Sequence, residues 1–185
     1  MSDWIFISHS SKDKGLAQVI CEYLSDSGLP DQDFFCSSYG TPIGVGENDL
    51  DAIYDYMDRT RVIIELISKS FFESERCLME VGYAMARERY ANRHPGSFPS
   101  IRFFPLVVPP VSYGRVNDRL HRRQAIMLDS SAQCRTFAAQ LYGALDKLGA
   151  DVDENRWRNH ESQFSKRCVE TVEEMRLQSQ RKPRK

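Results

Sequence analysis

The sequence predicts an α/β protein built on one five-stranded parallel sheet with helices on both faces. Three observations predict it. Short apolar runs of strand length recur at 4–8, 33–36, 61–67, 101–108 and 125–128. Between most of them lie stretches whose apolar residues recur at helical spacing, long enough for the crossovers that parallel strands need. The third run, Val-Ile-Ile-Glu-Leu-Ile, is almost continuously apolar, as expected of a strand covered on both sides.

In chain order, Trp4–Ser8 is the first strand. Ser10, three residues before Asp13, opens a capped helix with Leu16, Val19, Ile20, Tyr23 and Leu24 inward, and Gly28 closes it. Asp33–Cys36 is the second strand. The following segment, Ser37 to Asn48, holds three glycines and a proline, a loop of the length that compact domains reserve for function. Asn48 or Asp49 caps the next helix, with Leu50, Ile53, Tyr54 and Met57 inward and Asp51, Asp55 and Asp58 outward. Arg61–Ile67 is the third strand, and a helix from about Ser74 to Ala91 ends before the breaker-rich His94–Pro99. Ile101–Val108 is the fourth strand. From Pro109 to Ala125 the chain is polar and basic with little periodicity and reads as a loop. Ala125–Leu128 is the fifth strand, and Asp129–Ser131 caps a helix carrying Phe137, Leu141, Leu145 and Leu148 as far as Gly149.

The α/β domain thus occupies residues 1–150. Residues 151–178 form an appended amphipathic helix with Trp157, Phe164, Cys168, Val172 and Met175 on one stripe. The stripe is expected to pack on its own domain, with a second subunit as the alternative. A basic tail, 179–185, is expected to be disordered.

Composition narrows the function classes. With 41% hydrophobic and 28% charged residues, and no apolar run of the ~18 residues that a membrane span requires, no membrane partner is expected. The first residues read as a strand, not an export signal. Five cysteines, odd in number and without a C-x-x-C pair, fit reduced thiols in a cytoplasm and show no zinc pattern. A net charge of −1 gives no general attraction to nucleic acid.

The chain is organised around 68–84, where Ser74, Cys77 and Glu80 recur every third residue beyond the third strand. On a helix they share about a third of the circumference, so a carboxylate, a thiol and a hydroxyl face one way. That face begins near the C-terminal end of a strand, where open α/β sheets bind ligands. Glu65 breaks the apolar strand. A local register or end effect is expected to explain it, with a pocket-lining role as the alternative.

Three segments in order, Phe6-Ile-Ser-His-Ser-Ser-Lys-Asp13, Phe35-Cys-Ser-Ser38 before a glycine-containing loop, and Ser74-x-x-Cys77-x-x-Glu80, resemble TIR domains of bacterial immune systems. The resemblance spans roughly residues 4–148. It implies a flavodoxin-like sheet, cleavage of the nicotinamide–ribose bond of NAD+, and assembly through TIR–TIR contacts. NAD+ is then the substrate, and no bound cofactor is implied.

The resemblance gives Glu80 the catalytic role. Ser8, His9 and Ser10 fall where donors could meet the nicotinamide or ribose; Ser37, Ser38, Gly44, Ser74 and Cys77 complete the implied substrate-binding set. Ser37 stands where animal NAD-cleaving TIR domains carry an aspartate, so this ribose contact differs. With neither G-x-G-x-x-G nor a Walker lysine, Lys12 and Arg115–Arg123 are the basic candidates for the phosphates. Two alternatives stand beside the enzyme. One is a non-catalytic TIR adaptor or host-signalling mimic; the other is a phosphoacceptor receiver, which would need an acidic pair where this chain has Ser8-His9. As an enzyme, the protein is expected to join other TIR subunits and to make a nucleotide signal read by a separate effector.

Overall fold

The computed structural model describes residues 4–38, 49–120 and 123–181. Five parallel strands, β1 (Ile5–Ser8), β2 (Phe34–Phe35), β3 (Val62–Ile67), β4 (Arg102–Val107) and β5 (Ile126–Met127), lie in the order β2-β1-β3-β4-β5. This is the flavodoxin-like order, and the expected α/β fold is observed.

Strand alternation sorts the core. Val62, Ile64 and Leu66 point to one face, where α1 (Lys14–Asp26), α6 (Ser131–Leu148) and α7 (Glu154–Arg181) share a single apolar cluster. On the other face lie α2 (Asp49–Arg59), the one-turn α3 (Lys69–Phe72), α4 (Glu75–Arg93) and α5 (Tyr113–Arg119). There Ile63 packs with Phe6, Ile53, Met57 and Ala84, whereas Ile67 packs with Phe71, Cys77, Val81, Val107 and Val116.

Helix ends follow the sequence signals closely. Ser74 and Ser130 cap α4 and α6 by accepting from the backbone N–H three residues on. Gly149 closes α6 with φ +80°, a conformation open to glycine at little cost. Arg87 of α4 is buried and donates to the carbonyls of Met57, Thr60 and Pro99, so a guanidinium closes the C-terminal end of α2.

Four expectations need correction or limits. Glu65 marks neither a register slip nor a strand end: it is fully buried, paired in regular register with Ser8 and Pro105, and β3 continues for two residues beyond it. Its side chain projects on the face of α4, beside that of its register neighbour Ser8. The stretch after Pro110 is not all loop, because Ser112 caps α5 and Val116 anchors it in the core. The last helix runs to Arg181, past the expected end at 178; its stripe belongs to the main core, with Trp157 donating to the Ala138 carbonyl at 3.1 Å and Tyr23 to the Trp157 carbonyl at 3.3 Å. Gly44, most of the 37–48 loop, and 182–185 lie outside the described residues.

Candidate active site

β1 and β3 are neighbours whose following connections leave toward opposite faces, since α1 covers one face and α3 and α4 the other. That makes the crevice beyond Ser8 and Ile67 the switch point of the sheet. Two capped turns shape it. After β1, the Ser10 hydroxyl accepts from the Lys12 N–H at 3.4 Å and bends the chain into the short turn Ser11–Asp13. After β3, Ser68 accepts from the Phe71 N–H at 3.0 Å and starts α3. The turns are tied together: the Ser68 hydroxyl donates to Asp13 Oδ2 at 2.6 Å, with Asp13 only 2% exposed.

Glu80 reaches this crevice from the second turn of α4. It is 7% exposed, and its Oε2 accepts from the Ser8 hydroxyl at 2.6 Å. Arg76, one turn earlier, places Nε 3.5 Å from Oε1. His9 stands beside it. Its Nδ1 lies 3.2 Å from the Ile7 carbonyl, which can only accept, so Nδ1 carries a proton, and Nε2 lies 2.6 Å from the Ser38 hydroxyl. Cys36 Sγ is 3.8 Å from the same ring.

Burial dominates the electrostatics. It raises the Glu80 carboxyl above its ordinary value, although the Ser8 hydrogen bond and the charges of Arg76 and His9 oppose the rise. Asp13 is raised by burial as well, against the Ser68 hydrogen bond. For His9, burial disfavours the cation, yet Cys36, the Ile7 carbonyl and the Glu80 charge together outweigh it and raise the imidazole. Burial pushes the Cys77 thiol up to about 11, which leaves it protonated and poorly nucleophilic at neutral pH.

The residues singled out in sequence separate into groups. Along the strand ends Ser8 contacts Glu80 and His9 contacts Ser38, and Cys77 is buried on the same side of α4. Ser10 and Ser74 have their hydroxyls engaged as helix caps, while Ser37 is exposed in the turn beside Ser38. Among the described side chains, the basic candidates have these partners: Lys12 pairs with Glu73 at 3.6 Å, Arg115 stacks 4.9 Å from the Phe72 ring centre, and Arg123 pairs with Glu88. Three members were not read from the sequence. Asp13 passed for a helix cap and Ser68 for a strand end, and their contact is between positions 55 residues apart. Arg76 did carry a signal, the i, i+4 spacing to Glu80.

The arrangement offers a buried carboxyl group at the strand ends, held by a hydroxyl and a guanidinium. Such a group can bind sugar hydroxyls and stabilise positive charge that develops beside it. Among the described residues no cluster of His, Cys, Asp and Glu has the geometry of a metal site.

Comparison with known proteins bears out the fold. Among solved structures, the TIR domains of the activated Roq1 resistosome, which directly recognizes the pathogen effector XopQ, share the fold with a TM-score of 0.51 at 14% identity, over 96% of this chain and 99% of theirs. The uncharacterized protein YddK of Bacillus subtilis (strain 168) is 32% identical over 82 residues, which amount to 42% of this chain and 30% of YddK. The chain therefore matches less than a third of that relative's length. A family model described as a TIR domain matches residues 5–141, from the first strand to the middle of α6, and the chain therefore belongs to the TIR domain family.

Proposed function

We propose that the protein cleaves the bond between nicotinamide and ribose in NAD+ and releases ADP-ribose or a nucleotide signal derived from it, in prokaryotic antiviral defence. The observation that carries this reading is the Glu80 carboxylate, buried at the switch point and held by Ser8 at 2.6 Å. The chemistry asks for little more. Nicotinamide leaves a cationic nucleotide with the bonding electron pair as a neutral base, so it needs no proton. The ribose passes through an oxocarbenium-like state, and Glu80 faces the charge that develops at the anomeric carbon. Water then attacks that carbon and loses a proton to solvent, which gives ADP-ribose; attack by a nucleophile within the nucleotide gives a cyclic product instead. His9 serves as a pocket wall in this scheme, its ring held between Ile7 and Ser38.

Assembly with further copies of the chain belongs to the same reading. Leu78 and Met79 stand exposed on α4 immediately before Glu80, and they offer an apolar surface beside the site. The setting is cytoplasmic, with all five cysteines free and buried, and a separately encoded effector reads the product.

Glu80→Gln tests the reading, because it keeps volume and helix propensity while removing the anion. Nicotinamide release, followed by mass spectrometry on the assembled protein, should fall at least about a hundredfold, the loss expected when one preorganised electrostatic contact disappears. A folded, assembling Glu80→Gln protein that cleaves NAD+ at the parental rate would sink the assignment. Absence of nicotinamide under every assembly condition would favour the adaptor.

A further inference from the structure

Glu80 is held from two sides, and the two holders differ in kind. Ser8 donates a neutral hydroxyl to Oε2, whereas Arg76 brings a full positive charge to within 3.5 Å of Oε1. The spacing is i, i+4 on α4, which stacks the two side chains on one flank of the helix. The Arg76 side chain is 41% exposed, yet its Nε is shut off from solvent and has the Glu80 carboxylate as its ion-pair partner without a hydrogen bond of good geometry. Its inner edge therefore faces the carboxylate while its outer edge reaches water.

The remaining groups named around Glu80 offer no permanent cation, His9 alone among them being able to take up a positive charge. From the β1 end come Ser8 and His9, the latter engaged by Ile7 and Ser38. Asp13, in the turn before α1, is an acid bonded to Ser68. Glu65 of β3 projects on the same sheet face and is also acidic. Cys77, from Glu80's own helix, is a protonated thiol. The surroundings are rich in acids, and Arg76 is the permanently charged cation among these groups.

We propose that Arg76 is a positioning residue for Glu80, its guanidinium keeping the carboxylate ionised and turned toward the crevice. A buried carboxylate with only a neutral donor is costly to ionise, and a guanidinium in contact offsets that cost. The consequence for rate rests on the NAD+ cleavage proposed above; the consequence for Glu80 itself does not.

The test is therefore made first without substrate. Carbon-13 NMR follows the titration of the Glu80 carboxyl in the full chain, in the parent, Arg76→Gln and Arg76→Lys. Arg76→Gln should raise the midpoint by about one pH unit, a tenfold gain in proton affinity, and Arg76→Lys should return most of it. Both variants should melt like the parent at low pH, where Glu80 is protonated in all three, and Arg76→Gln should melt lower than the parent above the midpoint. In turnover, the acidic limb of the kcat/KM profile should move up with the midpoint. Equal midpoints in parent and Arg76→Gln, or equal displacement in Gln and Lys, would overturn the proposal. A midpoint that moves as expected in a protein that releases no nicotinamide would leave the positioning role standing and remove the reaction.

Discussion

On one face of the sheet, Val62, Ile64 and Leu66 enter a continuous apolar body with α1, α6 and α7; on the other, Ile63 and Ile67 fall into two separate clusters with Glu65 between them in the strand. The break follows a line of polar side chains: Ser8 on β1, Glu65 on β3 and Glu80 on α4. A polar group buried in a packed layer interrupts apolar contact on either side of it and must find a partner of its own. Ser8 and Glu80 find each other. The difference teaches where this fold keeps its stability and where it gives stability up: the α1/α6/α7 face holds the sheet together, so the α4 face can carry ionisable groups at the strand ends.

Substitutions on the two faces should therefore part ways. Trp157→Ala, on the well-packed face, removes a side chain 2% exposed that packs edge-on to Tyr23, and should cost about 3–5 kcal/mol in denaturant titration. Activity per folded molecule should not change. If the loss is below about 1 kcal/mol, α7 is an accessory and not a part of the core. Ser8→Ala, on the other face, should lower NAD+ cleavage about tenfold, equivalent to ~1.4 kcal/mol, by leaving Glu80 Oε2 without its donor. Its melting temperature should change little by comparison with Trp157→Ala; a larger stability effect than rate effect would make the Ser8–Glu80 bond a packing device.

The smallest expected effect is a matter of sign. The Glu80 carboxyl is raised in the folded state by burial, so its contribution to stability is complete below the unfolded carboxylate range and is lost as pH rises through the folded value. Glutamine does not titrate. The melting temperature of Glu80→Gln minus that of the parent should therefore grow more positive between about pH 4 and pH 8, measured by calorimetry. A difference that shrinks over this range would mean that Glu80 is stabilised as an anion by more than its burial costs.

Much of this was legible because it is local. The apolar run of β3, the Ser130 cap, Gly149, and the three-residue spacing that places Cys77 and Glu80 on one side of α4 all depend on neighbours in sequence. What escaped was of two kinds. Among the described side chains of α5, Val116 is the one fully in the core, and a helix of seven residues left almost no period to read. Asp13–Ser68 and the Arg87 contacts to Met57, Thr60 and Pro99 join distant segments, and no spacing rule reports them. Glu65 was misread for a related reason. A carboxyl inside a covered strand looks like a defect until the strand beside it is seen to bring Ser8 to the same level of the sheet.

The clasp of α7 on α1 also sets an order of events during synthesis. Tyr23 and Trp157, which meet through ring and carbonyl, lie 134 positions apart. At translation rates of roughly 5–20 residues per second, the first helix waits on the order of ten seconds for its cover. For that interval Val19, Tyr23 and the rest of the apolar surface that α7 covers lack their partner.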